Sequence, residues 1–443
     1  MTIFRFFSRT GPLPRSVVRA GSAFLAAVIL AAATPSGSSA QDRPKKKLIE
    51  FGWDRPSPEF VRDHIREMET RPFDGIIFPT KEYDHAFDTR VWTEEAFRPQ
   101  MDALAAIRWG KFTDNFLLLY SANIGKMDWF DDAQWKVIEA NMRLFSKAAN
   151  AGRCAGVCFD NEPYGDDPWV YTGRFPGKSF DEVVEKVRVR GAQFMQALQS
   201  AMPKVKVLHF FQLGYYGDTS EETRTYRKAE RWNLLNEPDP AVRTHKLSER
   251  WLALFCPFFI GMLEAAGPGV TFIDGNEFAY YYDSPDDFYR HYHEMKQSAL
   301  TLVPETLRPK YIAQAQAGNA VYFDILMADA WENSRPIFVP SNFLTPAERL
   351  KFLDHNVYYA LATADEYVWF YSQNMNWWRD LVPPDAAFGP KTGLPDGLEG
   401  AIRSVRRTYG RGQPLGYDIA DMVTRGWEKA AKAYEELNAK KGR

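Results

Sequence analysis

Cysteine, histidine and net charge are all scarce in this 443-residue chain. It has 3 cysteines and 7 histidines, and its formal net charge is −2. An odd number of cysteines excludes a fully paired disulfide framework within the chain. Cys154 and Cys158 lie four residues apart on a predicted strand, about 13 Å, which is too far for a disulfide. No Cys/His spacing is typical of zinc, and no basic excess indicates nucleic acid. We therefore expect no metal, no cofactor and no nucleic-acid partner.

Long apolar runs are also missing beyond the amino terminus. There, four arginines accompany an apolar run from Ala20 to Ala33, and small residues at Ser38 and Ala40 precede Gln41. This pattern predicts a signal peptide over residues 1–40, because the run is shorter than the ~20 residues that cross a bilayer. An uncleaved anchor is the alternative. We expect a secreted or periplasmic protein without stable membrane insertion after cleavage, and its oligomeric state stays open.

Strand and helix patterns alternate along the rest of the chain, which is typical of a parallel sheet. No phosphate-binding glycine fingerprint follows the first strand, which argues against a doubly wound open sheet. We predict an α/β fold, a single (β/α)8 TIM-barrel domain over residues 41–443 with long βα loops and C-terminal helices. The predicted strands span 48–54, 73–79, 115–120, 155–162, 205–211, 270–277, 310–316 and 366–372.

The fourth predicted strand ends in acids, with Asp160, Asn161 and Glu162 before Pro163. Side chains alternate along a strand, so Asp160 and Glu162 share one face and Asn161 takes the other. Pro163 cannot donate a ladder hydrogen bond, so the strand stops there. Burying two carboxylates is costly unless they are paired, which indicates a functional site at this strand end. The alternative is a corner whose acids cap backbone groups or bind arginine.

The other predicted strand ends carry acids, amides and aromatic residues, and such ends meet at the mouth of a barrel. Two carboxyl groups that flank a scissile bond are the requirement of glycoside hydrolysis. For the partner of Glu162 we prefer Glu277, which lies on a loop beyond Gly275, over Asp274 and Asp160. The candidate substrate ligands are Trp53, Asp54, Asn161, Tyr164, His209, Gln316, Trp369 and Tyr371, with Trp377 and Trp378 as further stacking candidates.

Several of these residues have a structural interpretation as well. Glu50 shares a face of the first strand with Asp54 and is expected to form an ion pair in the barrel interior. His209 is equally consistent with a core histidine, and His291 is expected on a helix surface. The aromatic and charged segment from Tyr215 to Trp232 is either a lid or a solvated excursion.

The run Asn161-Glu162-Pro163 resembles the general-acid motif of the retaining clan A glycoside hydrolases, which are (β/α)8 barrels. The aromatic eighth strand, 367–371, is also similar to theirs. The resemblance implies that Glu162 is the acid/base and that Asn161 binds the sugar 2-hydroxyl. That clan places its nucleophilic Glu at the end of strand seven, where this chain has Gln314 and Gln316. The Asp160-x-Glu162 pair also resembles the Asp-x-Glu of barrels that use a substrate acetamido group as nucleophile.

These residues together predict a secreted enzyme that hydrolyses O-glycosidic bonds of a polysaccharide or oligosaccharide, with a carbohydrate as its partner. Two alternatives stay open. One is a carbohydrate-binding barrel without catalysis, and the other is a barrel lyase or metal-dependent hydrolase. The sugar, its anomeric configuration, endo or exo action and a retaining or inverting outcome are not determined by the sequence.

Overall fold

The computed structural model describes residues 45–121, 126–217, 234–327, 331–332, 335–336, 339–383, 387–390 and 392–441. The predicted signal peptide and most of the segment from Tyr215 to Trp232, for which a lid and a solvated excursion were both left open, therefore lie outside the described residues. Within the described residues, no helix is both long enough and apolar enough to cross a membrane.

A parallel sheet of nine strands forms the centre of the domain. Its strands are β1 (Lys47–Gly52), β2 (Gly75–Phe78), β3 (Phe116–Tyr120), β4 (Gly156–Asp160), β5 (Lys206–His209), β6 (Thr271–Asp274), β7 (Ala315–Ala317), β8 (Asn319–Tyr322) and β11 (Tyr367–Ser372). They lie side by side in the order β7-β6-β5-β4-β3-β2-β1-β11-β8. The first and last strands of this order, β7 and β8, are consecutive in the chain, and only Gly318 separates them. The sheet therefore closes on itself as eight staves, and the predicted TIM barrel is confirmed. A separate antiparallel pair comprises β9 (Trp331–Glu332) and β10 (Arg335–Pro336).

The seventh stave corrects the sequence prediction, which placed a strand at 310–316. Most of that segment is a helix from Arg308 to Gln314, and its Ile312 is 60% exposed. Pro309 suits the first turn of a helix, where no backbone N–H is needed. The stave begins only at Ala315 and is interrupted at Gly318, whose N–H donates to the Asp274 carbonyl at 2.7 Å.

Helices cover the outside of the barrel, and many begin at a side chain that accepts a backbone N–H. Ser179 and Thr345 form complete capping boxes, in which a glutamate three residues on bonds back to the cap. The helices are α1 (Pro58–Met68), α2 (Glu94–Ala106), α3 (Asp132–Ala151), α4 (Phe180–Gln199), α5 (Pro240–Ser248), α6 (Phe255–Ala265), α7 (Pro285–Lys296), α8 (Arg308–Gln314), α9 (Phe323–Leu326), α10 (Pro346–Thr363), α11 (Leu398–Gly410) and α12 (Ala420–Lys441).

Aromatic rings fill the interior of the barrel, and ion pairs close its amino-terminal end. Phe51 of β1 meets Phe210, which follows the opposite strand β5, with ring centroids 5.1 Å apart. At the amino-terminal end, Lys47 pairs with Asp114 at 2.7 Å, and Lys206 pairs with Glu366 at 3.0 Å. With that end filled, the carboxyl-terminal mouth is the place for a site.

Candidate active site

Two acids at the end of β4 lie together at the carboxyl-terminal mouth. Phe159 packs outward against Phe194 of α4, with ring centroids 5.5 Å apart, so its neighbour Asp160 faces the interior. Glu162 follows the strand, and its backbone N–H donates to Asp160 Oδ1 at 2.9 Å. Asp160 is 1% exposed and Glu162 is 8% exposed. The structure therefore brings these two predicted site residues together.

Burial controls the protonation of these acids. It raises the pKa of Glu162, and the Tyr164 hydroxyl, which donates to Glu162 Oε2 at 2.5 Å, acts in the opposite direction. Burial raises the pKa of Asp160 well above its usual value, and the negative charge of Glu162 adds to that effect. Two adjacent buried carboxyls resist ionising together. The pair is therefore suited to hold a proton that a substrate oxygen can accept.

Glu277 approaches the same mouth from β6, two staves away. Asn276 takes up a left-handed conformation (φ 46°), and Glu277 then begins a 3₁₀ turn. Burial is the main reason that the pKa values of three tyrosines are raised, and the charges of Glu277 and Glu162 both add to the rise. Both acids therefore lie within electrostatic reach of one set of hydroxyls. The three tyrosines are Tyr164, Tyr280 and Tyr371.

Asp274 does not face the mouth, so it is not the second acid that the sequence offered beside Glu277. It shares the outer face of β6 with Phe272, which packs against helix α6. Its Oδ2 accepts the Gly214 N–H at 3.0 Å, and its Oδ1 accepts the Asn276 N–H at 3.2 Å. Asp274 thus holds the turn that carries Glu277.

A buried histidine lies behind Asp274. His291 was expected on a helix surface, but it is 4% exposed, and its Nδ1 is 2.9 Å from Glu294 Oε2. Burial raises the pKa of Asp274, and the charge of His291 opposes that shift. Asp274, His291 and Glu294 therefore link β6 to α7 beneath the loop that follows β5.

The aromatic residues of the site divide into an exposed platform and a buried floor. Trp53 is 47% exposed at the mouth, and its Nε1 donates to the Tyr371 hydroxyl at 2.6 Å. Tyr371 stacks on Tyr280, with centroids 5.5 Å apart. Trp369 is fully buried and stacks on Phe210 at 4.3 Å, so it is part of the floor and not the sugar platform that was predicted.

His209 and Gln316 were predicted as substrate ligands, and the structure places both elsewhere. The His209 ring is fully buried on the outer face of β5 and packs against Phe159, and burial lowers its pKa to about 3. Gln316 Nε2 donates to Glu366 Oε2 at 3.4 Å, near the amino-terminal end of the barrel. Neither residue reaches the mouth. His209 is a core histidine, which was the alternative interpretation, and Gln316 lies in a strand that begins later in the chain than predicted.

Asp54 was predicted at the rim, but it points away from the mouth on the outer side of β1. It is 2% exposed, and its Oδ2 accepts the Trp377 N–H at 3.0 Å. Glu50 is fully buried beside it, as a carboxyl neighbour and not as the interior ion-pair member that was expected. Trp377 and Trp378 are also fully buried, so neither is an exposed platform.

Asn161 also accepts hydrogen bonds from neighbouring loops. Its side chain lies on the face opposite Asp160, as the alternation predicts, and it is fully buried. Its Oδ1 accepts the Phe211 N–H at 3.2 Å, and its carbonyl accepts the Trp169 Nε1–H at 2.8 Å. The Asn161 side chain therefore faces the loop after β5 and not the mouth, where the predicted sugar 2-hydroxyl would lie.

Sequence reasoning missed three residues at the mouth. Tyr280 follows Glu277 in a run of three tyrosines that the sequence displays. Trp251 is 40% exposed beside Tyr215, with ring centroids 6.2 Å apart. Arg55 follows Asp54 with a positive φ, which no sequence pattern indicated. Among the described residues, no group of three or more His, Cys, Asp or Glu side chains is placed to hold a metal ion.

Comparisons with known proteins give structural likenesses alone. No family model and no curated protein matches the chain. A trimodular GH5_4 subfamily endoglucanase is 8% identical over 82% of this chain, which spans 60% of that one, with a TM-score of 0.43. A GH5-4 broad specificity endoglucanase from an uncultured bacterium is 11% identical over 78% of this chain and 84% of its own length, with a TM-score of 0.42. A putative sugar phosphate isomerase/epimerase from Anabaena variabilis is 13% identical over 89% and 99%, with a TM-score of 0.35. At these values the barrel assignment rests on the strand order and not on the likenesses.

Proposed function

We propose that this protein is a glycoside hydrolase that cleaves O-glycosidic bonds of a polysaccharide or oligosaccharide, with Glu162 as the general acid and Glu277 as the second carboxylate. The observation that carries this proposal is the geometry at the mouth of the barrel. Glu162 accepts the hydrogen bond of the Tyr164 hydroxyl, and Glu277 begins the turn that places Tyr280 against Tyr371. Glu162 is buried enough for its pKa to rise, as a group that must donate a proton requires.

Each residue of the proposed site has its own role in the reaction. Glu162 donates its proton to the glycosidic oxygen as the bond to the anomeric carbon breaks, and the Tyr164 hydroxyl, 2.5 Å from Oε2, stabilises the carboxylate that forms. Glu277 supplies the second carboxylate of the pair, as nucleophile or as base for water. Water finally provides the hydroxyl at the anomeric carbon. Trp53 stacks on a sugar ring at the rim.

The test is turnover of natural polysaccharides, measured as new reducing ends. Glu162→Gln and Glu277→Gln should each lower kcat by about 100-fold or more, because each removes a group that acts in the transition state. Glu249→Gln removes an exposed carboxyl before Trp251 and is the matched control, which should keep full activity. Circular dichroism and thermal unfolding show that the variants remain folded. Full turnover in Glu162→Gln would end the assignment.

Two other functions predict different results in the same assays. A carbohydrate-binding barrel would bind the polymer in the wild type and in Glu162→Gln without releasing reducing ends. A lyase would release products with a conjugated double bond, which absorb in the ultraviolet, and a metal-dependent hydrolase would lose activity with a chelator. We also propose that the protein acts outside the cytoplasm, in keeping with the predicted signal peptide, which processing of the amino terminus on secretion would test.

A further inference from the structure

The turn after β1 is held in an unusual conformation, and it presents two side chains at the mouth. The Trp53 N–H donates to the Ser372 carbonyl at 2.9 Å, and the buried Asp54 carboxylate accepts the backbone N–H of Trp377 at 3.0 Å. Arg55 has a φ of 31°, which is unfavourable for a residue with a side chain. Strain of this kind concentrates at functional sites, where the surrounding structure maintains it.

The Arg55 guanidinium lies between aromatic rings with most of its donors unused by the described side chains. Its carbon is 5.2 Å from the Tyr120 ring centroid and 5.8 Å from that of Trp53. Among the residues that the structure describes, its one side-chain hydrogen bond goes to Asp84 Oδ2 at a long 3.5 Å. The other oxygen of Asp84 lies 2.8 Å from His85 Nδ1. The side chain of Arg55 is 34% exposed, so it is open to a ligand.

This cation borders the catalytic acid that we propose. The Tyr120 ring packs edge-on against Tyr164, with centroids 5.9 Å apart, and Tyr164 donates to Glu162. The charge of Arg55 also acts on Asp160, where it opposes the rise in pKa that burial causes. The tyrosine pair Tyr120 and Tyr164 therefore lies between the guanidinium and the carboxyl of Glu162.

We propose that the sugar bound beside Glu162 carries a carboxylate, and that Arg55 binds it, so that the substrate is a uronic-acid-containing polysaccharide. A guanidinium presents planar, forked donors that match a carboxylate with two parallel hydrogen bonds. Trp53, which lies beside it, offers a face for the same or the next ring. This proposal rests on the proposed function for its site but concerns binding, so the two can fail separately.

The experiment compares uronate polymers with their own carboxyl-reduced forms. Polygalacturonate and alginate are each used intact and after reduction of the carboxylates to alcohols, which leaves chain length and linkage unchanged. Binding to the full chain carrying Glu162→Gln is measured by calorimetry, and cleavage by the wild type is measured as reducing ends. Arg55→Gln removes the charge, Arg55→Lys keeps it without the forked geometry, and Arg62→Gln, on exposed α1, is the matched control.

The expected result is tighter binding of at least one intact polymer than of its reduced form. Arg55→Gln should weaken binding of the intact polymer by about tenfold or more, in line with the loss of charged hydrogen bonds, and should abolish the preference. Arg55→Lys should recover part of the preference, and Arg62→Gln should behave as the parent. Equal binding of intact and reduced polymers, or binding of neither, would overturn the proposal.

The readouts separate this proposal from the proposed function. If Arg55-dependent, carboxylate-dependent binding occurs but the wild type cleaves nothing, the hydrolase assignment fails and the binding inference stands. If neutral polysaccharides are cleaved in a Glu162-dependent way while intact and reduced uronates bind equally, the hydrolase assignment stands and this inference fails.

Discussion

The Glu50–Asp54 pair behind the mouth makes a specific prediction about stability and pH. Both carboxyls are buried on the outer side of β1, where Glu50 and Asp54 are neighbours. Burial is the main reason that the pKa of Glu50 rises well above its usual range, with the Asp54 charge next. Burial likewise raises the pKa of Asp54 to about 7, against the hydrogen bond from the Trp377 N–H.

The direction in which stability changes with pH follows from the number of protons that the folded and unfolded states bind. Both acids have a higher pKa in the folded state, so between pH 4 and pH 7, roughly, the folded protein binds more protons than the unfolded chain. Stability should therefore fall as the pH rises through this window. For Asp54, a rise from 3.8 to about 7 corresponds to a loss of about 4 kcal/mol at most, at ~1.4 kcal/mol per pKa unit.

Glu50→Gln tests this reasoning. The amide has nearly the same shape, carries no charge and can donate to Asp54, so it keeps the contact and removes the like-charge neighbour. We expect the variant to be more stable than the wild type at pH 8 by about 1–3 kcal/mol, and close to it at pH 5. Glu67→Gln, on the exposed side of α1, is the control and should change stability equally little at both pH values.

Urea unfolding at a series of pH values measures these differences. The decisive quantity is the gap in free energy of unfolding between Glu50→Gln and the wild type, plotted against pH. A gap that stays constant from pH 5 to pH 8, or that shrinks as the pH rises, would refute the account of a shared buried proton.

Two further changes test the parts of the fold that position the site. Asp274→Ala should lower kcat by roughly 10- to 100-fold, because the turn that carries Glu277 loses its support and Glu277 loses its alignment. The variant should also be destabilised by about 1–3 kcal/mol, since two buried N–H groups lose their acceptor. Steady-state kinetics should show an unchanged KM, and an unchanged kcat would contradict this role for Asp274. Gly318→Ala should destabilise the protein by about 1–3 kcal/mol, because a Cβ there would lie 2.9 Å from the Asp274 carbonyl oxygen and 3.2 Å from that of Tyr367. Urea unfolding measures this change, and an unchanged midpoint would contradict the close packing.

Strands β4 and β6 show how far the site could be predicted from the sequence. Alternation placed Asp160 and Asn161 on opposite faces, and the structure agrees. The same rule could not say which face of β6 is the interior, because both faces of a barrel strand are buried and its apolar residues do not mark a side. Asp274 was therefore kept as a catalytic candidate although it shares the outer face with Phe272.

The seventh stave was harder to find because its sequence has little strand character. Ala315–Ala317 is three residues long, and Gly318 separates it from Asn319–Tyr322. The glycine is required by its surroundings, since the backbones of β6 and β11 both approach it, and such tertiary contacts are not visible in a local pattern. The helix at 308–314 was mistaken for part of the strand because residues 311–313 form a short apolar run, and such a run does not by itself distinguish a strand from a helix.

Several acids at the strand ends of this barrel support loops, so the sequence suggests more catalytic candidates than the structure does. Asp54, Asp274 and Asp324 follow or end three different strands, and each accepts backbone N–H groups from a neighbouring loop. Asp324, at the carboxyl end of the seventh stave, accepts those of Gln373 and Asn374 at 2.8 Å each and is fully buried. A loop that leaves a barrel strand exposes backbone donors, and a carboxylate facing the outer layer satisfies them. Asp54, Asp274 and Asp324 therefore support loops, and an acid at the end of a strand does not by itself mark a catalytic group in this barrel.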